Sequence, residues 1–196
     1  GRSMREKILS RMTPEWQECY SAGMFTEFME QRGPGHTCGG EQVFTTGYMD
    51  YKEKIHKTMD ELDYINDPEA VNKCEELKAM DISCDAVIIL GERYHKLALE
   101  MAEKEEDETR KAELLQIAAN LEVVPAHKPQ TFWQAIQLYW FTHLAVTTEL
   151  NPWDAFSPGR LDQHLNPYYE RDVEAGILDD EKALELLECL WVKFYN

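Results

Sequence analysis

The stretch most suggestive of chemistry is Glu30-Gln31-Arg32-Gly33-Pro34-Gly35-His36-Thr37-Cys38-Gly39-Gly40. A histidine set between glycines in a loop has no packing reason to be there. Its imidazole donates or accepts a hydrogen bond near neutral pH, which suits holding a small polar molecule. The other reading is a turn in which His36 caps a helix. Glycines 33, 35, 39, 40 and 47 crowd the same segment, so the backbone turns sharply or lies close to something. Glycine-rich loops also cradle phosphates, but neither G-x-G-x-x-G nor a P-loop Lys-Ser/Thr is present, and that reading fails.

A second stretch, Glu149 to Gln163, carries Glu149, Asn151, Trp153, Asp154, Arg160 and Asp162 around Pro152, Pro158 and Gly159. Polar groups beside an aromatic wall in an irregular segment are typical of substrate pockets. Arg160 and Asp162 read as a structural pair anchoring a helix start, Trp153 as core or pocket wall, and Asp154 as a functional carboxylate. The remaining histidines carry less. His56 and His95 lie among charges and read as surface residues, and His143 in Trp140-Phe141-Thr142-His143-Leu144 reads as a satisfied core histidine. Cys74-Glu75-Glu76 forms a C-x-E triplet in a charged run that reads as a solvated helix face. The five cysteines at 19, 38, 74, 84 and 189 show no C-x-x-C spacing, which argues for reduced thiols in a cytoplasm and against a zinc site or disulfide framework.

The elements that must position these loops are helices. Thr13-Pro14-Glu15 opens one with a cap and a proline at its first position, expected to run past Phe25 and Phe28 to Gly33. Tyr48–Leu62 is expected to be a second. Asn66-Asp67-Pro68-Glu69 starts a third, whose apolar positions at helical spacing predict one long or slightly broken helix over 71–106. Asp107–Leu121 follows. Gln130-Thr131-Phe132-Trp133-Gln134 contains a T-x-x-Q capping box opening the most apolar helix, to about Thr148. Helices resume over 160–175, with Gly176 as the stop, and over 180–195. The expectation is a mostly α chain with at most one or two short strands, near Ala145–Leu150.

With 196 residues, 43% hydrophobic and 11% aromatic, the chain can bury a sizeable core. A formal net charge of −17 argues against nucleic acid and anionic membrane surfaces as partners, and no apolar run approaches the roughly 20 residues that span a bilayer. Gly1-Arg2-Ser3-Met4 has no apolar segment behind it, so the expectation is a cloning remnant rather than a signal peptide.

Three segments, in order along the chain, resemble the glycyl radical enzymes of the pyruvate formate-lyase-like family. They are Thr26–Thr37, Val124–Ala135 and Ser157-Pro158-Gly159-Arg160-Leu161-Asp162-Gln163 through Tyr169, joined by Leu187–Phe194 in the last helix. The similarity is greatest to the eliminase branches: diol dehydratases, choline trimethylamine-lyase and isethionate sulfite-lyase.

The resemblance implies that residues 1–196 are a largely helical, N-terminal-to-middle portion of a ten-stranded α/β barrel wrapped by helices. It implies an anaerobic, cytoplasmic lyase that removes a leaving group from a small-molecule substrate. It also implies a homodimer whose glycyl radical is installed by a radical SAM activating enzyme. In the family that radical passes to a cysteine in a barrel loop, and a glutamate two residues on acts as base. Neither the R-V-x-G-Y motif nor the cysteine loop is present here, since Cys74-Glu75-Glu76 has the wrong neighbours. The chain alone is therefore expected to be inactive, with no catalytic residue, metal or cofactor of its own. Residue by residue, His36 resembles the contact to a substrate hydroxyl. Trp153-Asp154 stands where glycerol dehydratases often carry His-Ser, which makes glycerol doubtful and suits a differently shaped or cationic substrate. The rival readings are a standalone helical binding or scaffold protein and a catalytically dead paralogue.

Overall fold

A computed structural model describes residues 4–24, 39–149 and 157–195. Among them lie nine helices: α1 Met4–Leu9, α2 Pro14–Ser21, α3 Gln42–Thr45, α4 Tyr48–Asp60, α5 Ala70–Lys104, α6 Glu108–Leu121, α7 Phe132–Glu149, α8 Leu161–Glu174 and α9 Asp180–Tyr195. No strand occurs among the described residues, and none of their helices is long and apolar enough to cross a membrane. The mostly α expectation holds.

The helix starts follow the local chemistry. Thr13 accepts from the Trp16 amide at 3.2 Å, with Pro14 opening α2. Asp67 accepts from the Glu69 amide at 2.9 Å ahead of α5, and Asp107 accepts from the Arg110 amide at 2.9 Å to start α6. α5 is the long helix expected there, and its 35 residues run without interruption.

Two expectations fail. α2 stops at Ser21 instead of running on past Phe25, because the amides of Gly23 and Met24 turn back onto the carbonyls of Tyr20 and Cys19 at 3.0 and 3.1 Å and close the helix. The strand placed near Ala145–Leu150 is helix through Glu149; Leu150 lies outside the described residues. The threonines of α7 bond within the helix. Thr142, Thr147 and Thr148 donate to the carbonyls of Leu138, His143 and Leu144 one turn back at 3.1, 2.9 and 2.6 Å.

α5 and α6 pack as an antiparallel hairpin, with α4 laid against α5. The seam between α4 and α5 is tied by Lys52, whose ammonium lies 2.8 Å from both Asp81 and Asp85, and by His56 at 2.8 Å from Asp81. The main core joins Val43 and Phe44 of α3, Phe132, Ile136 and Tyr139 of α7, Leu165 of α8, and Leu186 and Leu190 of α9. A smaller cluster of Val87, Leu121 and Phe141 fastens the hairpin to α7.

The segment 123–129 is where these layers meet. Tyr48 and Met49 at the start of α4 donate their amides to the carbonyls of Pro125 and Ala126 at 3.0 and 2.8 Å. The approach is so close that a Cβ on Gly47 would lie 2.4 Å from the His127 backbone. On the other side Pro125 presses on α5, where a Cβ on Gly91 would lie 2.3 Å from its Cδ. Glycine is required at both places by space alone.

Candidate functional site

His36, Trp153 and Asp154 all lie outside the described residues, as does Cys38. What the structure does describe is the framework on either side of them. α3 follows the first loop, α7 leads into the second and α8 leads out of it.

These three helices converge on one aromatic ring. Phe44 is 1% exposed. Its ring stacks on Tyr139 of α7, with centroids 5.3 Å apart, and on His164 of α8 at 5.1 Å. Its carbonyl accepts from the Tyr168 hydroxyl at 2.5 Å, across 124 residues of sequence. Burial pushes the Tyr168 phenol up from its ordinary range, so the group stays protonated and keeps donating.

A second tie runs between α7 and α8. Asp172 is 2% exposed. Its carboxylate accepts from the Phe132 amide at 2.6 Å, where α7 has a free N–H. The Arg171 guanidinium holds the other carboxylate oxygen at 3.1 Å, stacks over the Tyr168 ring at 5.0 Å and donates to the Gln130 carbonyl. The predicted capping box is present in altered form. Thr131 accepts from the Gln134 amide at 3.2 Å, while the Gln134 side chain returns to the amide of Gln130, one residue earlier than expected.

A polar cleft of about 660 Å³ opens over this framework, lined by Glu41, Thr45, Lys128, His164, Tyr168 and Arg171. It brings together the end of the first loop, the 128–130 turn and α8. A separate apolar groove of about 720 Å³ is lined by Phe132, Leu161, Leu165, Leu187 and Trp191; Trp191 is 60% exposed.

Other sequence candidates fall as follows. Arg160 and Asp162 pair at 3.5 Å on the surface, the structural role expected of them. His143 is half-buried, 3.1 Å from the Tyr139 hydroxyl and stacked on Trp140, and burial lowers its pKa; it is the satisfied core histidine expected. His95 is a correction: it is half-buried on α5, with Nδ1 2.9 Å from the Ala118 carbonyl of α6, and is not a free surface residue. Cys74 and Glu76 sit two positions apart on α5, a spacing that turns their side chains to different sides of the helix. The four described cysteines are free, and no grouping of three metal-ligating residues occurs among the described residues.

The residues that sequence reasoning missed are Phe44, Tyr168 and Asp172. A signal existed for two of them, since Leu161, Leu165, Tyr168 and Asp172 recur at helical spacing on one face of α8. An aspartate on that face reads as buried, and a buried carboxylate needs partners.

The family model described as pyruvate formate lyase-like matches residues 1–196. The trans-4-hydroxy-L-proline dehydratase of Clostridioides difficile is 62% identical over 195 residues, covering 100% of this chain and 25% of the relative. The crystal structure of hydroxyproline dehydratase from that organism, with trans-4-hydroxy-L-proline bound, superposes with a TM-score of 0.84 over 98% of this chain and 24% of its own. A glycyl radical enzyme from Archaeoglobus fulgidus superposes with a TM-score of 0.72 at 35% identity, over 79% of this chain and 20% of its own. The chain spans about a quarter of the length of the curated relative it matches at 62% identity.

Proposed function

The chain belongs to the pyruvate formate lyase-like family of glycyl radical enzymes along its whole length, and we propose that it is part of a lyase dehydrating a hydroxylated amino acid that carries a ring ammonium, of the trans-4-hydroxy-L-proline kind. The observation that carries this reading is the 62% identity to a hydroxyproline dehydratase, sustained over 195 residues. Dehydration removes a hydroxyl from one carbon and a hydrogen from its neighbour, so the pocket must recognise the hydroxyl and orient the ring.

His36 holds the leaving hydroxyl, whose departure as water needs a proton that imidazole can share. Asp154 faces the substrate ammonium, with Trp153 as the wall beside it. A carboxylate against an indole is expensive to bury unless a cation meets it. A ring ammonium supplies that cation, where a neutral diol does not. The residues of this chain therefore bind and orient. Hydrogen-atom abstraction is the chemistry that the glycyl radical supplies, and this chain carries neither its R-V-x-G-Y motif nor the cysteine loop. A cytoplasmic homodimer served by a radical SAM activating enzyme completes the reading.

The test is a side-by-side assay of the activated whole enzyme with trans-4-hydroxy-L-proline, choline, glycerol, 1,2-propanediol and isethionate. Turnover of hydroxyproline is expected, with a raised KM in Asp154→Asn and in His36→Ala. Turnover of a neutral diol in preference to hydroxyproline overturns the substrate. Indifference to both substitutions removes His36 and Asp154 from the pocket.

A further inference from the structure

We propose that the apolar groove between α8 and α9 seats an apolar segment, flanked by lysine or arginine, from the part of the whole enzyme's polypeptide that this chain does not span. The proposal rests on the reading of this chain as part of a longer enzyme, and not on the choice of substrate.

α8 and α9 each pack on α7 and leave a gap between them. Phe132, Leu165 and Ala183 line that gap and also belong to the main core. The groove is therefore an open edge of the core and not a separate surface feature. α9 shows why the edge is open. Its Ala183, Leu186 and Leu190 recur at helical spacing and are buried in the core. Leu184, Leu187 and Trp191 recur one position further along and form a second apolar stripe beside the first. Leu184 and Trp191 are 57% and 60% exposed. A surface helix needs one such stripe towards its core, and a helix apolar over a wider arc belongs in an interior.

The charges of the lining decide what fills it. Asp162, Asp180 and Glu188 line the groove, and no Lys, Arg or His does. Asp162 pairs with Arg160, and Asp180 accepts from the Tyr169 hydroxyl at 2.6 Å. Glu188 has no ion pair among the described residues, so it is the carboxylate left to meet a cation from outside. An occupant therefore brings apolar side chains to Leu187 and Trp191 and a basic one beside them. A second copy docked face to face through the same groove sets these carboxylates against their own images, in a chain whose formal net charge is −17. The remaining polypeptide meets no such objection, and there is enough of it. This chain covers 25% of the relative that is 62% identical to it, which leaves the larger part of such a protein to supply the segment.

The test replaces Trp191 by the photo-cross-linker p-benzoylphenylalanine in the whole enzyme, left unactivated so that no radical takes part. Irradiation is expected to join position 191 to a peptide of the same polypeptide outside residues 1–196. The product keeps the monomer band on a denaturing gel, and mass spectrometry maps a peptide with lysine or arginine beside its apolar residues. Glu188→Lys in the same background lowers the cross-link yield. A dimer-sized band gives the groove to a second copy and overturns the proposal, as does a cross-link confined to residues 1–196, or none. A yield unmoved by Glu188→Lys overturns the charge complementarity on which the choice of occupant rests. Should the substitution at 191 prevent folding, the same cross-linker in place of Leu184 decides. The reading of the chain as part of a longer enzyme fails separately, if its gene encodes nothing beyond these residues.

Discussion

Replacing Gly47 by alanine sets two physical effects against each other, and the structure says which wins. Gly47 has φ −84° and ψ 165°, ordinary extended backbone that alanine adopts freely. Considered alone, the substitution stiffens the unfolded chain and stabilises the protein by about 0.4–1 kcal/mol. The added Cβ, however, falls 2.4 Å from the Cα and carbonyl carbon of His127 and 2.5 Å from the Ala126 oxygen. These are backbone atoms with no rotamer to escape into. Relief requires moving the start of α4 off the 125–127 turn, at the expense of the Tyr48 and Met49 amide bonds to Pro125 and Ala126. Two such bonds are worth about 0.5–1.5 kcal/mol each, and overpacking adds about 1–3 kcal/mol. The net expectation is a destabilisation of about 1–5.5 kcal/mol. Urea denaturation of Gly47→Ala measures it, and hydrogen exchange at the Tyr48 and Met49 amides locates it. A variant as stable as wild type, with both amides still protected, refutes the close approach. Gly176→Ala is the control: φ is +69° and the space beside it is open, so only the backbone penalty of about 1–2 kcal/mol applies.

Asp172→Ala leaves the Phe132 amide and the Arg171 guanidinium without their acceptor. It is expected to cost about 1.5–3 kcal/mol by denaturant midpoint, whereas Asp172→Asn retains an acceptor and costs less. The Lys52 ammonium beside Asp81 holds that carboxyl below its usual range. Its contribution is therefore present above the ordinary carboxylate pKa and lost as pH falls through the lowered value. Lys52→Met should move the acid limb of the unfolding curve towards neutral pH, and an unmoved limb in a fluorescence pH titration counts against the ion pair.

Much of the helical framework was legible because its signals are local. Thr13-Pro14, Asp67-Pro68 and Asp107 are caps that act within four residues, and the apolar spacing of α5 persists over nine turns. The extent of α2 was misread because the cap at Thr13-Pro14 marks where a helix begins and not where it ends, and the amides of Gly23 and Met24 close it early. A strand was expected near Ala145–Leu150 because a barrel strand of the family could begin there, yet Thr147 and Thr148 bond one turn back and the stretch is helix through Glu149. The Phe44 lock was illegible for a different reason. It joins residues 124 apart, and nothing near Phe44 in sequence marks its carbonyl as a target. The family could be read from short segments, since Gly33-Pro34-Gly35-His36-Thr37 and Ser157-Pro158-Gly159-Arg160 need no three-dimensional context to be compared.

The α5–α6 hairpin has a bearing on how the polypeptide is made. Its two helices are joined by residues 105–107 alone, so their contacts are local and can form as soon as residue 121 has left the ribosome. The joint between Phe44 and Tyr168 must wait until nearly fifty further residues have been translated. During that interval Phe44 and the apolar side of α7 have no α8 to close over them. The nascent chain is then a finished hairpin beside an unfinished core, and this is the stage at which a chaperone, or aggregation, meets its apolar surface.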